Sequence, residues 1–173
     1  MNNQTMMARL QKADHILALS IKIICVTLLA VIVLSISASI FTRFVVFSPL
    51  NFANALSKYL MMWMAFLGAG LAIREGEHIV VDILLRKLKG KNRTRLLLFI
   101  NTLVSVFLLL IVYYGYLYAL SGIDSSDPFV FGINMMIPYL SVPVGALYML
   151  IQLNITTLLQ LWGEQHHEQR GGV

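Results

Sequence analysis

Residues 96–123 read LLLFINTLVSVFLLLIVYYGYLYALSGI, 28 residues without one charged side chain. A helix crosses the hydrocarbon core of a bilayer in about 20 such residues. This run is too long and too evenly apolar for a helix on a soluble core. It therefore sets the fold class as an all-α integral membrane protein, and its surplus length predicts a long or tilted span. The rest of the chain agrees. Of 173 residues, 58% are hydrophobic and 12% are charged, against roughly a quarter charged in a soluble domain. High apolar content with little charge also excludes a disordered chain. The length leaves room for one compact bundle of four spans.

Three more apolar runs flank this one. Ile23–Thr42 is uncharged for 20 residues, Tyr59–Ile73 for 15 and Phe129–Gly163 for 35. The second run is short. It reaches spanning length if its helix starts near Ala53 and Lys58 extends its ammonium toward the outer headgroups. Pro138 and Pro143 predict an irregular start or a kink in the last run, then a continuous helix to about Trp162. The expected layout is a single four-helix transmembrane domain over residues 1–173. Its spans fall at about 23–45, 53–73, 96–119 and 138–162. The first span is expected to be retained, because its apolar run exceeds that of a cleaved leader.

Orientation follows from the Lys and Arg residues, which concentrate in cytoplasmic segments. Arg9, Lys12 and Lys22 precede the first span. Arg74, Arg86, Lys87, Lys89, Lys91, Arg93 and Arg95 lie between the second and third, and Arg170 lies in the tail. These are eleven of the 13 basic residues. The other two, Arg43 and Lys58, mark outer helix ends. Both termini are therefore expected in the cytoplasm. The formal charge of +5 sits in blocks beside apolar runs, which fits anionic membrane lipid and not nucleic acid. Arg43, Lys58, Arg86, Lys87 and Lys89 are the expected lipid anchors. A short amphipathic helix is expected at about 79–89, with Val81, Leu84, Leu85 and Leu88 on one face and Asp82, Arg86 and Lys89 opposite. Met6–Leu19 repeats that pattern more weakly and reads as a second interfacial helix.

The chemistry is sparse. All eight acidic residues and all four histidines can be placed outside the spans or at their ends. Intramembrane ionisable groups usually mark ion paths and proton relays, so the chain on its own lacks the carboxylate a coupled carrier needs. A haem-bearing bundle needs histidines within its spans. No phosphate loop, nucleophile elbow or metal-ligand cluster is present. The expectation is no enzyme, no cofactor and no metal. The lone Cys25 lies within a span and cannot form an intrachain disulfide. The mid-span polar residues Ser35, Ser37, Ser39, Asn101, Thr102, Ser105, Asn154, Thr156 and Thr157 allow two readings, helix packing or a substrate path. Ala65, Gly68, Ala69, Gly70 and Ala72 give the second span a small-residue face for a close helix, internal or from a partner.

The densest segment is Trp63–Leu85, WMAFLGAGLAIREGEHIVVDILL. Its residues admit a plain account. Arg74 would reach inner-leaflet phosphates, Gly76 would permit the turn out of the span, and Glu77 would favour the next helix N-terminus. His78 and Asp82 are neighbours one helical turn apart. The segment also resembles the DctQ-like small membrane subunits of tripartite ATP-independent periplasmic (TRAP) transporters. Trp63, Gly68, Ala69, Arg74, Glu77, His78 and Asp82 match the family pattern position by position, and Ser48-Pro49-Leu50 resembles its outer loop. Lys58 also matches, but Asn54 and Ala55 stand where many members carry a Glu-Glu pair.

The resemblance implies four spans in a bacterial inner membrane and two protein partners. One is a soluble periplasmic substrate-binding protein that captures an organic acid such as a C4-dicarboxylate, sialic acid or another sugar acid. The other is a large multispanning subunit that moves it inward with sodium. It implies that the small subunit scaffolds the large one and helps to dock the binding protein. The matched motif would then be a subunit interface, and the outer acids Asp124 and Asp127 are candidates for docking. The alternatives are a self-sufficient small carrier or channel, and a redox or enzyme subunit of the membrane.

Overall fold

The computed structural model describes residues 3–47, 50–75 and 91–170. Glu77, His78, Asp82, Arg86, Lys87, Lys89 and the expected interfacial helix at 79–89 lie outside the described residues. Four long helices dominate: α1 (Asn3–Phe41), α2 (Asn51–Glu75), α3 (Lys91–Leu120) and α4 (Ser141–Arg170). All four are long and apolar enough to cross a membrane, so the chain is an all-α integral membrane protein. α1 ends in a π-helical turn, Thr42–Val46, closed by Phe47 at φ 55°, whose N–H donates to the Thr42 carbonyl.

α1 starts twenty residues before the expected span and runs unbroken through Met6–Leu19. That segment is therefore continuous with the span, which corrects the reading of a separate interfacial helix. From Gln11 onward, the residues of α1 shielded from the surroundings are Asp14, Leu17, Ala18, Ile21, Cys25, Leu28, Ile32, Ser35 and Ser39, and Thr42 continues them into the π-helical turn. Apart from Leu17, which flanks Ala18, they recur at alternating steps of four and three, the seam of a left-handed helix pair. Asp14 lies on this seam with Leu17 beside it, whereas Ala13, expected on the same face as Leu17, is exposed.

The helices do not close into a compact bundle. α1 lies along α2, α2 along α4, and α4 along α3, which gives the spatial order 1-2-4-3. Without a hydrophobic driving force between helices in lipid, close approach at small residues decides which faces meet. Gly70 of α2 lies under the Tyr148 ring of α4, and Gly145 of α4 lies against the backbone of Phe66. A Cβ at Gly145 would stand 3.2 Å from the Phe66 carbonyl carbon. Gly115 of α3 meets Val142 and Pro143 of α4 in the same way. The outer faces of α1 and α3 are lined by exposed Ile23, Val26, Leu34, Phe99, Leu103 and Phe107.

Of the mid-span polar residues, Asn101 and Thr157 link two long helices. Thr157 donates to Asn101 across α4 and α3 at 3.0 Å. Thr102 and Asn154 donate to carbonyls one turn back in their own helices, Leu98 and Leu150. Pro138 and Pro143 do interrupt the last span. One helical turn, Met136–Tyr139, precedes α4. Pro143 has no N–H to carry the ladder across the junction. At the same junction the Ser141 hydroxyl donates to the Pro138 carbonyl at 2.7 Å.

Between α3 and that turn, the outer connection folds into a hairpin. Strands β1 (Ser126–Asp127) and β2 (Ile133–Asn134) pair antiparallel, with Ser126 opposite Asn134. A 3₁₀ turn, Pro128–Val130, lies between them, and Phe131 follows at φ 51°.

Candidate functional site

Two polar clusters fasten the row, one at each end. At the inner end, Asp14 is 6% exposed. Arg74 Nε donates to its Oδ2 at 2.8 Å, and Gln152 Nε2 donates to its Oδ1 at 2.7 Å. One carboxylate thus holds α1, α2 and α4 together. Arg74 is paired within the protein and does not simply reach for lipid phosphates. Removing two charges from water costs several kcal/mol per ion, which only good geometry and further hydrogen bonds offset. Both Asp14 oxygens have such a partner. Gln152 is fully buried, and its Oε1 and the nearby Tyr148 hydroxyl have no partner among the described residues. One turn outward from Arg74 is Gly70 beneath Tyr148, and one turn beyond that is Phe66 beside Gly145. The ion pair and the two glycine contacts form successive layers of one seam.

The small-residue face of α2 therefore divides. Gly70 is closed by α4. Gly68 is not, since a Cβ there would meet nothing within 4 Å. Ala65 and Ala69 are exposed, and Trp63 is half-buried.

At the outer end, the Tyr59 hydroxyl of α2 donates to Asp127 Oδ2 and approaches Met135 Sδ at 3.4 Å. Asp127 Oδ1 accepts from the Phe129 N–H at 2.8 Å. Both oxygens of Asp127 are thus occupied within the chain, while Asp124 is exposed. Phe131 rests on Phe52 with ring centroids 5.3 Å apart. Arg43, Lys58 and Asn54 are exposed, and Ala55 is half-buried.

The structure thus places Arg74 in a cluster whose other members, Asp14, Gln152 and Tyr148, sequence reasoning did not assign. Asp14 carried one signal, since it stands in step with the alternating seam of α1. The partnership of Gln152 is separated from it by 138 residues and left no local trace. Among the described residues, no three His, Cys, Asp or Glu side chains come together as a metal site.

A row of four apolar helices braced by polar clusters at its ends, with apolar outer faces, defines a small multi-pass membrane protein. Residues 32–163 match the family model for tripartite ATP-independent periplasmic transporters, DctQ component. The chain belongs to that family, and it is a multi-pass protein of the bacterial inner membrane.

Three relatives illustrate the range. A protein of Haemophilus influenzae named as a TRAP transporter small permease is 32% identical over 74 residues, covering 43% of this chain and 46% of that relative. The matched part thus spans about half of that relative's length. The sialic acid TRAP transporter small permease protein SiaQ of Vibrio cholerae is 28% identical over 131 residues, covering 76% of this chain and 75% of its own. The ectoine TRAP transporter small permease protein TeaB of Halomonas elongata is 28% identical over 125 residues, covering 72% and 65%.

Proposed function

We propose that this chain is the non-catalytic small subunit of a sodium-coupled TRAP transporter for an organic acid. In this reading the four spans act as one domain that scaffolds the large transport subunit and helps to dock the periplasmic binding protein. The observation that carries the reading is the state of Asp14. It is the one acidic residue buried among the described residues, and it is spent on Arg74 and Gln152. A neutralised carboxylate braces helices; it does not carry an ion across. The coupling chemistry is then assigned to the large subunit.

The motif residues Trp63, Gly68, Ala69, Arg74, Glu77, His78 and Asp82 are proposed to border the large subunit. The open surface at Gly68, Ala65 and Ala69 supports that placement. For docking the binding protein, Asp124 is the available outer acid, whereas Asp127 serves by holding the hairpin. The names of the relatives leave the substrate class wide, since one is an ectoine transporter subunit and another a sialic acid transporter subunit.

The test is reconstitution. The chain should co-purify with a large membrane partner in equal amount. Sodium-dependent uptake into liposomes should require both subunits and the binding protein. Uptake by this chain alone would establish the self-sufficient carrier in its place.

A further inference from the structure

The outer hairpin, residues 121–135, is the one irregular segment whose depth can be fixed against a spanning helix. Counting about 20 residues outward from Arg74 along α2 places the outer hydrocarbon boundary near Asn54, and any tilt moves that boundary further out. The hairpin grips α2 at Tyr59 and at Phe52. It therefore lies beside the outer turns of the span, at the depth of the outer leaflet, and does not stand clear of the membrane.

Irregular backbone at that depth must satisfy its own hydrogen bonds, and this segment closes several of them on itself. Met135 N donates to the Ser125 carbonyl at 2.9 Å, and Gly132 N to the Asp127 carbonyl at 3.1 Å. Ser125 N donates to the Gly122 carbonyl at 3.2 Å. The Asn134 side chain covers two more groups, donating to the Ile123 carbonyl and accepting from Met136 N. The surface is aromatic. Phe131 is 86% exposed and Phe129 64%. Phe131 is held at φ 51°, a backbone that bulky residues rarely adopt, and held outliers of this kind cluster where a function retains them. On the adjoining end of α3, Tyr113, Tyr114, Tyr116 and Tyr118 are also exposed, as in an aromatic belt.

From these observations we infer that the hairpin is an outer-leaflet anchor, with Phe129 and Phe131 seated at the acyl-headgroup boundary of phospholipid. Basic residues are the expected lipid anchors of the inner face, whereas the outer loops 47–57 and 119–137 contain no Lys or Arg. Aromatic insertion of the hairpin adds to the outer-side registration expected of Arg43 and Lys58 at the ends of α1 and α2.

Photo-crosslinking tests this in the complete complex, in nanodiscs of phosphatidylethanolamine and phosphatidylglycerol. Benzoylphenylalanine replaces Phe131, or separately Phe129, with Asp124 as the control position. The expected result is a phospholipid adduct at 131 and 129, unchanged by the binding protein and at least severalfold weaker at 124. Adducts to the binding protein or to the large subunit, or none to lipid, would overturn the anchor. Phe131→Cys with Cys25→Ser provides a second measurement. A nitroxide at that position should collide with oxygen more often than with a water-soluble nickel chelate, and the reverse order would also overturn it.

Discussion

Asp14 ties three helices together, because Arg74 of α2 and Gln152 of α4 both donate to its carboxylate. Replacing it with Ala leaves Arg74 and Gln152 facing a gap at the inner end of the seam. Breaking a buried pair costs about 3–5 kcal/mol. Arg74 keeps 30% of its side chain exposed, so the lower end, roughly 3 kcal/mol, is the expected loss. A lower midpoint of thermal unfolding in detergent would register it. The reversed pair, Asp14→Arg with Arg74→Asp, should recover part of that loss. No recovery would mean that the Gln152 hydrogen bond outweighs the ion pair. The glycines give a second contrast. Gly70→Val drives a branched side chain into the Tyr148 ring and should cost about 1–3 kcal/mol. Gly68→Val meets open space within this chain. It should leave the midpoint unchanged while lowering the yield of the large subunit in co-purification.

At the scale of elements, the hairpin and α1 were legible to different degrees. The four spans stood out because charge is absent from long runs, and α2 at Asn51–Glu75 lies within two residues of its expected bounds. The inner part of α1 did not stand out. Arg9, Lys12 and Asp14 together look like a wet amphipathic surface, and the residue that turns Asp14 inward, Arg74, is 60 positions away. The hairpin was hidden for a similar reason. It is tied to Tyr59, 68 residues before Asp127, while the local sequence showed only Pro, Gly, the two acids Asp124 and Asp127 and an uncharged run. Tyr59→Phe removes one hydrogen bond to a charged group, a loss of roughly 1.5–3 kcal/mol that falls on the hairpin. Faster protease cleavage within 121–135, with the four helices intact by circular dichroism, is the expected outcome.

At the scale of the molecule, the spatial order 1-2-4-3 could not be read from the chain. The spans are apolar on nearly all sides, and the glycines that choose partners are single residues among many small ones. The order is testable by disulfide trapping in a Cys25→Ser background. Gly115→Cys with Val142→Cys should cross-link, since a Cβ at 115 would stand 3.1 Å from Val142. Pairs placed at one depth on α1 and α3 should not. Both sets cross-linking equally would indicate a closed bundle.

The row has a consequence for biogenesis. α2 and α4 run in the same direction and meet through the Gly70–Tyr148 and Phe66–Gly145 layers, yet α3 is synthesised between them. α1 with α2, and α3 with α4, can each leave the translocon as an antiparallel hairpin. The α2–α4 seam can form only after the fourth helix is released. The protein is then two halves joined after synthesis, so a chain severed between α2 and α3 should reassemble when its two pieces are co-expressed. Mutations at Gly70 or Gly145 should leave each half inserted but unjoined, and expose it to membrane quality-control proteases.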